Sequence, residues 1–438
     1  MCALPTAAPS LPVRNTSAQD IVFQKAGPVF GKYQNKRISL GDFKLDLPIP
    51  GTENRKTRIL FFATGGTISA KGTSDFTYDP GAVGARQMIG AARKPRNTRI
   101  EPHDVFRIDS KSIEPKHWLV LQRQVISALD AIEKGDAIVI AHGTDTMEMT
   151  AAFLHFTVPG EKLEGKKIVF VGSMKPSDSA TPDGEKNLRD ALRLAKSKTF
   201  SGIVAMMNGK IFSPPYFRKG HTVDVDAFKR INGLEIGKLK NGKVIIRNQP
   251  VAASWTANID MLADHPQDAM LPNVPVIHVQ SNATVAEMKN RIANEIRPSA
   301  ATRSAGNDFS HSDDEQRMPS RPAGAIVVAG TGNGTMHDDI EQYLAKVGIP
   351  VVRASKVGDG EVVRNGAAKD DALGPRQDDR EARNFVCAGK LMPETAALLV
   401  QLAMVDAESR GIPLTADRLR ERFAEYQSPE FRPPASAA

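Results

Sequence analysis

Cysteine is almost missing from the chain: only Cys2 and Cys387 occur. Two thiols, one of them at the second residue, cannot build a disulfide scaffold or supply a Cys₂ or Cys₄ metal set. Long apolar runs are missing as well. The longest, such as 396–400, fall far short of the ~18–20 residues that cross a bilayer. No block of five or six like charges occurs, and 58 Lys plus Arg against 50 Asp plus Glu leave a net charge of only +8. So small an excess reads as solubility with a mild pull on anions, not as a nucleic-acid tail. The first thirty residues lack a basic start followed by an apolar core, so the protein is expected to be non-secreted and cytoplasmic. The nine histidines show no metal-ligand spacing, and neither a metal nor an organic cofactor is expected.

What remains is ordinary globular usage. The 41% hydrophobic and 25% charged residues exclude collagen, coiled coil and wholesale disorder. A chain of 438 residues can bury a large core in two or three domains. Residues 1–56 form a basic, Pro- and Ser-rich extension without sustained period, with short strands expected near 21–23 and 37–40. From residue 57 the pattern changes. Apolar runs at 58–63, 137–141, 167–171 and 202–207 alternate with helical patterns at 115–129, 146–156 and 185–196. Such alternation predicts a parallel sheet covered on both faces. Ligands bind such sheets beyond the carboxyl ends of the strands, so the loops after Ala63, Ala141, Val171 and Met207 are where chemistry is expected.

Asn241-Gly242 predicts a hairpin that closes this first α/β domain at residue 247. Residues 248–273 read as a linker. A second α/β domain over 274–438 follows, with strands at 275–279, 325–329 and 351–353 and a long helix at 393–407. Within it, 297–324 is dense in Ser, Arg, Asp and Pro and reads as an inserted mobile loop.

Two of the loops carry motifs. Ala63-Thr64-Gly65-Gly66-Thr67-Ile68 sets two glycines and a hydroxyl at a strand's end. By itself this is a tight turn with Thr67 as a helix cap. Ala141-His142-Gly143-Thr144-Asp145-Thr146-Met147-Glu148-Met149-Thr150 follows another strand. Here Asp145 or Thr146 reads as a cap and the acids as partners of the helix dipole. His142 reads as a packed residue. Ser112, ahead of Glu114-Pro115, reads as the cap of the next helix.

Taken together the two motifs resemble the bacterial-type L-asparaginase/glutaminase family. The resemblance continues in order through Val171-Gly172-Ser173-Met174-Lys175-Pro176 with Asp183-Gly184 and Asn187, through Phe217-Arg218-Lys219-Gly220-His221, and through Ala329-Gly330-Thr331-Gly332-Asn333-Gly334. It covers about residues 57–436, leaving the extension and the 297–324 insert outside. It implies a two-domain asparaginase-like fold and hydrolysis of a side-chain carboxamide, L-asparagine first and L-glutamine as a second candidate. It implies Thr67 with Tyr78 as one reactive group and Thr144, Asp145 and Lys219 as the other. Substrate-binding positions are implied at Ser110, Lys111, Ser173 and Thr335.

A threonine hydroxyl is a weak nucleophile until a base or cation helps remove its proton. A lysine partly buried beside an aspartate can share that proton. Thr67 is assigned as nucleophile and Thr144 as the residue that positions water, with the exchanged roles as the alternative. The resemblance further implies a homotetramer of tight dimers in which a neighbour's C-terminal domain completes each site. Two other readings stand beside it: an amidase supplying ammonia in a tRNA-dependent amidotransferase, and a non-catalytic binding homologue. Residues 1–56 are short and irregular for an RNA-directed domain, and nucleic acid and membrane are not expected partners.

The sequence departs from the family pattern where the substrate's α-ammonium is held. A glutamine position carries Lys111, an asparagine position carries Thr335, and a glutamate position after Arg364-Asn365 aligns with Ala367. Glu361, Asp370 and Asp371 are the acids that could stand in.

Overall fold

The computed structural model describes residues 20–21, 38–39, 55–74, 77–79, 81–263, 270–296, 322–363 and 384–428. The contacts divide the chain into residues 1–46 and 47–438. In the first unit, Asp20–Ile21 pairs antiparallel with Ile38–Ser39. In the second, an eight-stranded sheet runs in the order Lys243–Ile246, Gly237–Lys240, Lys210–Phe212, Gly202–Met207, Lys167–Val171, Ala137–Ala141, Thr57–Gly65, Thr98–Ile108. The last five of these are parallel and the first three attach antiparallel. Every residue of Ala137–Ala141 and Lys167–Val171 is buried, which is why 137–141 and 168–171 read as unbroken apolar runs. Ile59, Phe61, Val139, Val169 and Val204 pack with Leu188, Leu192 and Ala195 of the Gly184–Lys196 helix. The Asn241-Gly242 turn is present, with Asn241 at φ 51° and Gly242 at φ 74°.

Among the parallel strands, Thr57–Gly65 comes first in sequence yet lies between the second, Thr98–Ile108, and the third, Ala137–Ala141. The order 2-1-3-4-5 therefore reverses between Thr57–Gly65 and Ala137–Ala141. A crevice opens at such a reversal, beyond the strands' carboxyl ends. Thr67 and Thr144 stand in the two loops that border it.

A second, smaller sheet holds Val276–His278, Ile326–Gly330, Val351–Ser355 and Phe385–Cys387, all parallel and in sequence order. The buried Pro393–Ser409 helix packs on it. The expected fold class, a larger parallel-sheet domain followed by a smaller α/β domain, is the one observed. Of the 248–273 segment, Asp260–Ala263 is a short helix. Residues 297–321 of the expected insert lie outside the described residues. Residues 322–324 belong to the second sheet's surroundings, with Ala323 buried.

One capping expectation is corrected. The Pro115–Ala131 helix is capped by Glu114, not Ser112. Glu114 and His117 bond each other's backbone reciprocally, with Glu114 N donating to His117 Nδ1 at 2.9 Å. That exchange satisfies two open N–H groups at once, and Ser112 ends a preceding 3₁₀ turn over Ser110–Ser112.

Candidate active site

Three loops meet at the reversal point, and glycines allow it. Gly65 and Gly66 lie at φ 105° and 75°, a region that other L residues enter only with strain. A Cβ on Gly66 would lie 2.2 Å from Gly143 Cα, and one on Gly143 would lie 2.5 Å from Ser110 Oγ. The Thr67 and Thr144 turns thus meet backbone to backbone, and the Ser110 side chain closes on the second of them. Hydrogen bonds fix them. Asp145 N donates to Ser110 Oγ at 3.2 Å, and Thr146 Oγ1 donates to the Ser110 carbonyl at 2.9 Å. Thr146 is the residue ahead of the Met147–Thr157 helix, but its hydroxyl serves this clamp and not a cap. Thr67 opens a 3₁₀ turn, Thr67–Ser69, and is buried. Gly66, not Thr67, holds the cap position of that turn. Ser177 Oγ donates to Ala70 O at 2.8 Å and ties the same turn to the loop after Lys167–Val171.

Lys219 arrives from a separate hairpin, Phe217–Lys219 paired with Phe228–Arg230. Its Nζ donates to Asp145 Oδ1 at 2.6 Å and to Thr144 Oγ1 at 3.0 Å. Thr144 is 4% exposed. The structure therefore brings Thr144, Asp145 and Lys219 into one hydrogen-bonded group and sets the Thr67 turn against it. An ammonium bridging a carboxylate and a buried hydroxyl can hold or release a proton beside that oxygen.

The other sequence candidates sit differently. Ser173 is fully buried, and its hydroxyl donates to Lys175 O at 2.9 Å. Around it, Asp183 accepts from Met174 N and Lys175 N, and Asn187 donates to Gly172 O and Asp183. Lys111 ion-pairs with Asp109 at 3.2 Å. Tyr78 lies on Thr77–Asp79, opposite Gly72 in a hairpin; its side chain is outside the described residues. Thr335 is not joined to the cluster. It lies on the loop after Ile326–Gly330, where Thr331 and Thr335 exchange backbone hydrogen bonds of 2.8 and 2.7 Å.

Two further groups flank the cluster, His142 buried and Glu148 half-buried. His142 is fully buried, with Nδ1 2.7 Å from Gly143 O and its ring edge-on to Phe170. Burial pushes its pKa down to about 4, so it is a neutral packed residue. Glu148, in the first turn of the Met147–Thr157 helix, is pushed up to about 7 by burial. The sequence pattern marks it as a helix-dipole partner only. Among the described residues, no group of three or more His, Cys, Asp or Glu could hold a metal.

Comparison with known proteins gives the same picture. Residues 58–252 match the family described as "Asparaginase, N-terminal" and residues 313–410 the "Glutaminase/Asparaginase C-terminal domain". L-asparaginase 2 of Escherichia coli is 31% identical over 358 residues, covering 80% of this chain and 89% of its own. The chain belongs to the asparaginase family. The glutaminase-asparaginase of Acinetobacter glutaminasificans, another relative, is 31% identical over 80% of this chain and 95% of its own. A crystal structure titled as a probable cytoplasmic L-asparaginase from Campylobacter jejuni superposes with a TM-score of 0.65 at 27% identity, over 85% of this chain and all of that one. The family makes this chain an L-asparaginase-type hydrolase, and Lys219, Thr144 and Asp145 form one hydrogen-bonded group in it.

Proposed function

We propose that this asparaginase-family protein hydrolyses L-asparagine to L-aspartate and ammonia through an acyl-threonine intermediate. The observation that carries the reading is the Lys219 ammonium set on both Thr144 Oγ1 and Asp145 Oδ1, at 3.0 and 2.6 Å, beside the turn that bears Thr67. In this reading Thr67 Oγ adds to the carboxamide carbon. The C–N bond breaks, and the hydroxyl proton leaves with the amine as ammonia. Water positioned at Thr144 and deprotonated toward the Lys219–Asp145 pair then cleaves the ester, releasing aspartate and restoring the Thr67 hydroxyl. Backbone N–H groups at the glycine turns are suited to the developing oxyanion. Ser110 serves the substrate carboxylate, and Tyr78 closes over Thr67 from the Lys71–Ser74 and Thr77–Asp79 hairpin. Ser173 supports the loop beneath.

The reading includes a cytoplasmic homotetramer of tight dimers, in which Thr335 of a neighbouring copy contributes to the site. Ammonia release from the purified full chain with L-asparagine, with and without tRNA, tests the function. Release without tRNA is expected. Release only with tRNA, or none at all, would overturn it. Sedimentation velocity tests the assembly, and a monomeric active species would refute it.

A further inference from the structure

The hairpin that delivers Lys219 is held at both ends, one end by each domain. At the tip, Asp226 accepts from Lys210 Nζ at 2.7 Å and from Asn208 Nδ2 at 3.4 Å, which fixes the hairpin to the eight-stranded sheet. Along its middle, Phe217 and Phe228 pack on each other and on Phe212 of that sheet. At the open end Ile231 N donates to Tyr216 O at 2.9 Å and closes the ladder. Asn232 then turns the chain at φ 54°, a left-handed value that asparagine accepts more readily than most residues. Gly233 follows with no room for a side chain: a Cβ there would lie 2.5 Å from Tyr216 Cβ. The turn is thus pressed onto the start of the strand that bears Lys219.

The same turn sets Asn232 against the smaller domain. Its N–H donates to Asp359 Oδ1 at 3.2 Å, its Oδ1 accepts from Gly360 N at 2.5 Å, and its Nδ2 donates to Lys390 O at 3.0 Å. Asp359 and Gly360 lie in the loop after Val351–Ser355, and Lys390 in the loop after Phe385–Cys387. These loops leave the carboxyl ends of two neighbouring strands, so one half-buried side chain bridges both. Lys390 N in turn donates to Tyr426 O at 2.9 Å, which ties the joint to the 3₁₀ turn Ala424–Tyr426. We propose that Asn232 is a positioning residue that acts through Lys219: it makes the smaller domain of the same chain hold the foot of the hairpin, and so keeps Lys219 Nζ on Thr144 and Asp145. The role rests on the hydrolase reading. Lys219 lies about 10 Å along the strand from Tyr216. Its bonds of 2.6 and 3.0 Å weaken steeply when that strand tilts.

The test uses Asn232→Gly, which removes the side chain and keeps the left-handed turn. Steady-state kcat and KM for L-asparagine are measured well below each melting midpoint. We expect kcat to fall at least about fivefold with KM within about twofold of wild type. Asp359→Ala removes one acceptor from an exposed position and should lower kcat in the same direction by less. A folded Asn232→Gly enzyme with wild-type kcat, or one that loses kcat/KM through KM alone, overturns the proposal. If Asn232→Gly fails to fold, a wild-type kcat in Asp359→Ala overturns it. Hydrogen exchange read by mass spectrometry needs no activity. Amides of 216–231 are expected to exchange at least about tenfold faster in Asn232→Gly, and faster to a smaller degree in Asp359→Ala, while those of 137–157 stay unchanged. Hairpin exchange equal to wild type in the folded variants overturns the inference. Wild type inactive on L-asparagine would instead refute the hydrolase reading, and the exchange would still decide whether this joint holds the hairpin.

Discussion

Gly66→Ala separates the two reactive turns without removing a reactive group. The added Cβ would lie 2.2 Å from Gly143 Cα and 2.5 Å from Gly143 N. Non-bonded carbons settle near 3.5 Å, so the Thr67 and Thr144 turns must part by about 1.3 Å. Both sides of the contact are backbone. No flexible side chain can absorb the shift. The φ of 75° adds about 1–2 kcal/mol of strain for alanine. A misplacement of about 1 Å between reacting groups costs on the order of 100-fold in rate. The expected outcome is a kcat at least about 100-fold lower, with a melting midpoint reduced by only several degrees. The assay is steady-state ammonia release from L-asparagine, paired with a circular-dichroism melt. Gly90→Ala is the control: it sits in the Ala85–Ala91 helix with nothing within 4 Å of the new Cβ. It should gain up to about 1 kcal/mol of stability and keep full activity. A folded Gly66→Ala variant within about tenfold of wild-type kcat would refute the idea that this close approach aligns the site.

Thr67→Ala is expected to lower kcat by several orders of magnitude at an unchanged melting midpoint, while Thr67→Ser keeps part of the activity; a Thr67→Ala enzyme within about tenfold of wild type would show that another group attacks. His117, His142 and His155 are each pushed down to about 4, chiefly by burial. The unfolded chain binds their protons first, so stability falls as pH drops from about 6.5 toward 4, by up to about 1.4 kcal/mol per pH unit for each. Melts over that window check this, and His155→Gln should make the fall less steep. Lys167 is pushed down to about 8 by burial. Between that value and the unfolded ~10.5 the unfolded chain holds the extra proton, so this group makes stability rise with pH. Lys167→Met should remove that rise in alkaline melts.

How much was legible depends on where the information lies. Parallel strands buried on both faces are largely apolar on both, so 137–141 and 168–171 announce themselves. Thr98–Ile108 does not. It is the sheet's edge, bonded among the described residues to Thr57–Gly65 alone, and its sequence Thr-Arg-Ile-Glu-Pro-His-Asp-Val-Phe-Arg-Ile carries the charges and the proline that an edge tolerates. The strand reversal depends on that missed strand, so the sequence marks the two threonine turns but not the reason they meet. Thr67, Thr144 and Asp145 are visible because glycines bracket them at strand ends. Lys219 has no such mark: it lies 74 residues from Asp145, and only the family resemblance singles it out. Glu148 is hidden in plain view. An acid in the first turn of a helix has a sufficient local reason to be there, and a carboxyl oxygen closed to solvent shows only in the fold. Ser112 failed as a cap because a reciprocal Glu114–His117 exchange outcompetes one hydroxyl.

The Lys111 turn bears on substrate specificity. Ser110 is clamped to the Thr144–Asp145 turn through both its hydroxyl and its carbonyl, so a substrate carboxylate held at Ser110 lies next to Lys111. Asp109, 3.2 Å from Lys111 Nζ, offsets part of that charge, and the lysine side chain is 61% exposed. Of the acids named as stand-ins for a missing ammonium partner, Asp370 and Asp371 lie outside the described residues. Glu361 is already engaged: Ser428 N and Oγ each donate to it at 2.7 Å, and Lys390 Nζ lies 3.9 Å away. A free α-ammonium therefore meets the Lys111 cation, and Glu361 is not spare to balance it. Weak binding of L-asparagine is expected, millimolar or poorer, or about −4 kcal/mol. Because Lys111 is exposed, solvent screens its repulsion to about 0.5–1 kcal/mol, so Lys111→Gln should tighten L-asparagine by roughly two- to fivefold. N-acetyl and α-deaminated analogues lack the positive charge, so for them the substitution should leave KM unchanged or raise it. That opposite response separates a charge effect from a general loosening of the loop. A micromolar KM for L-asparagine that Lys111→Gln leaves unchanged would refute the argument.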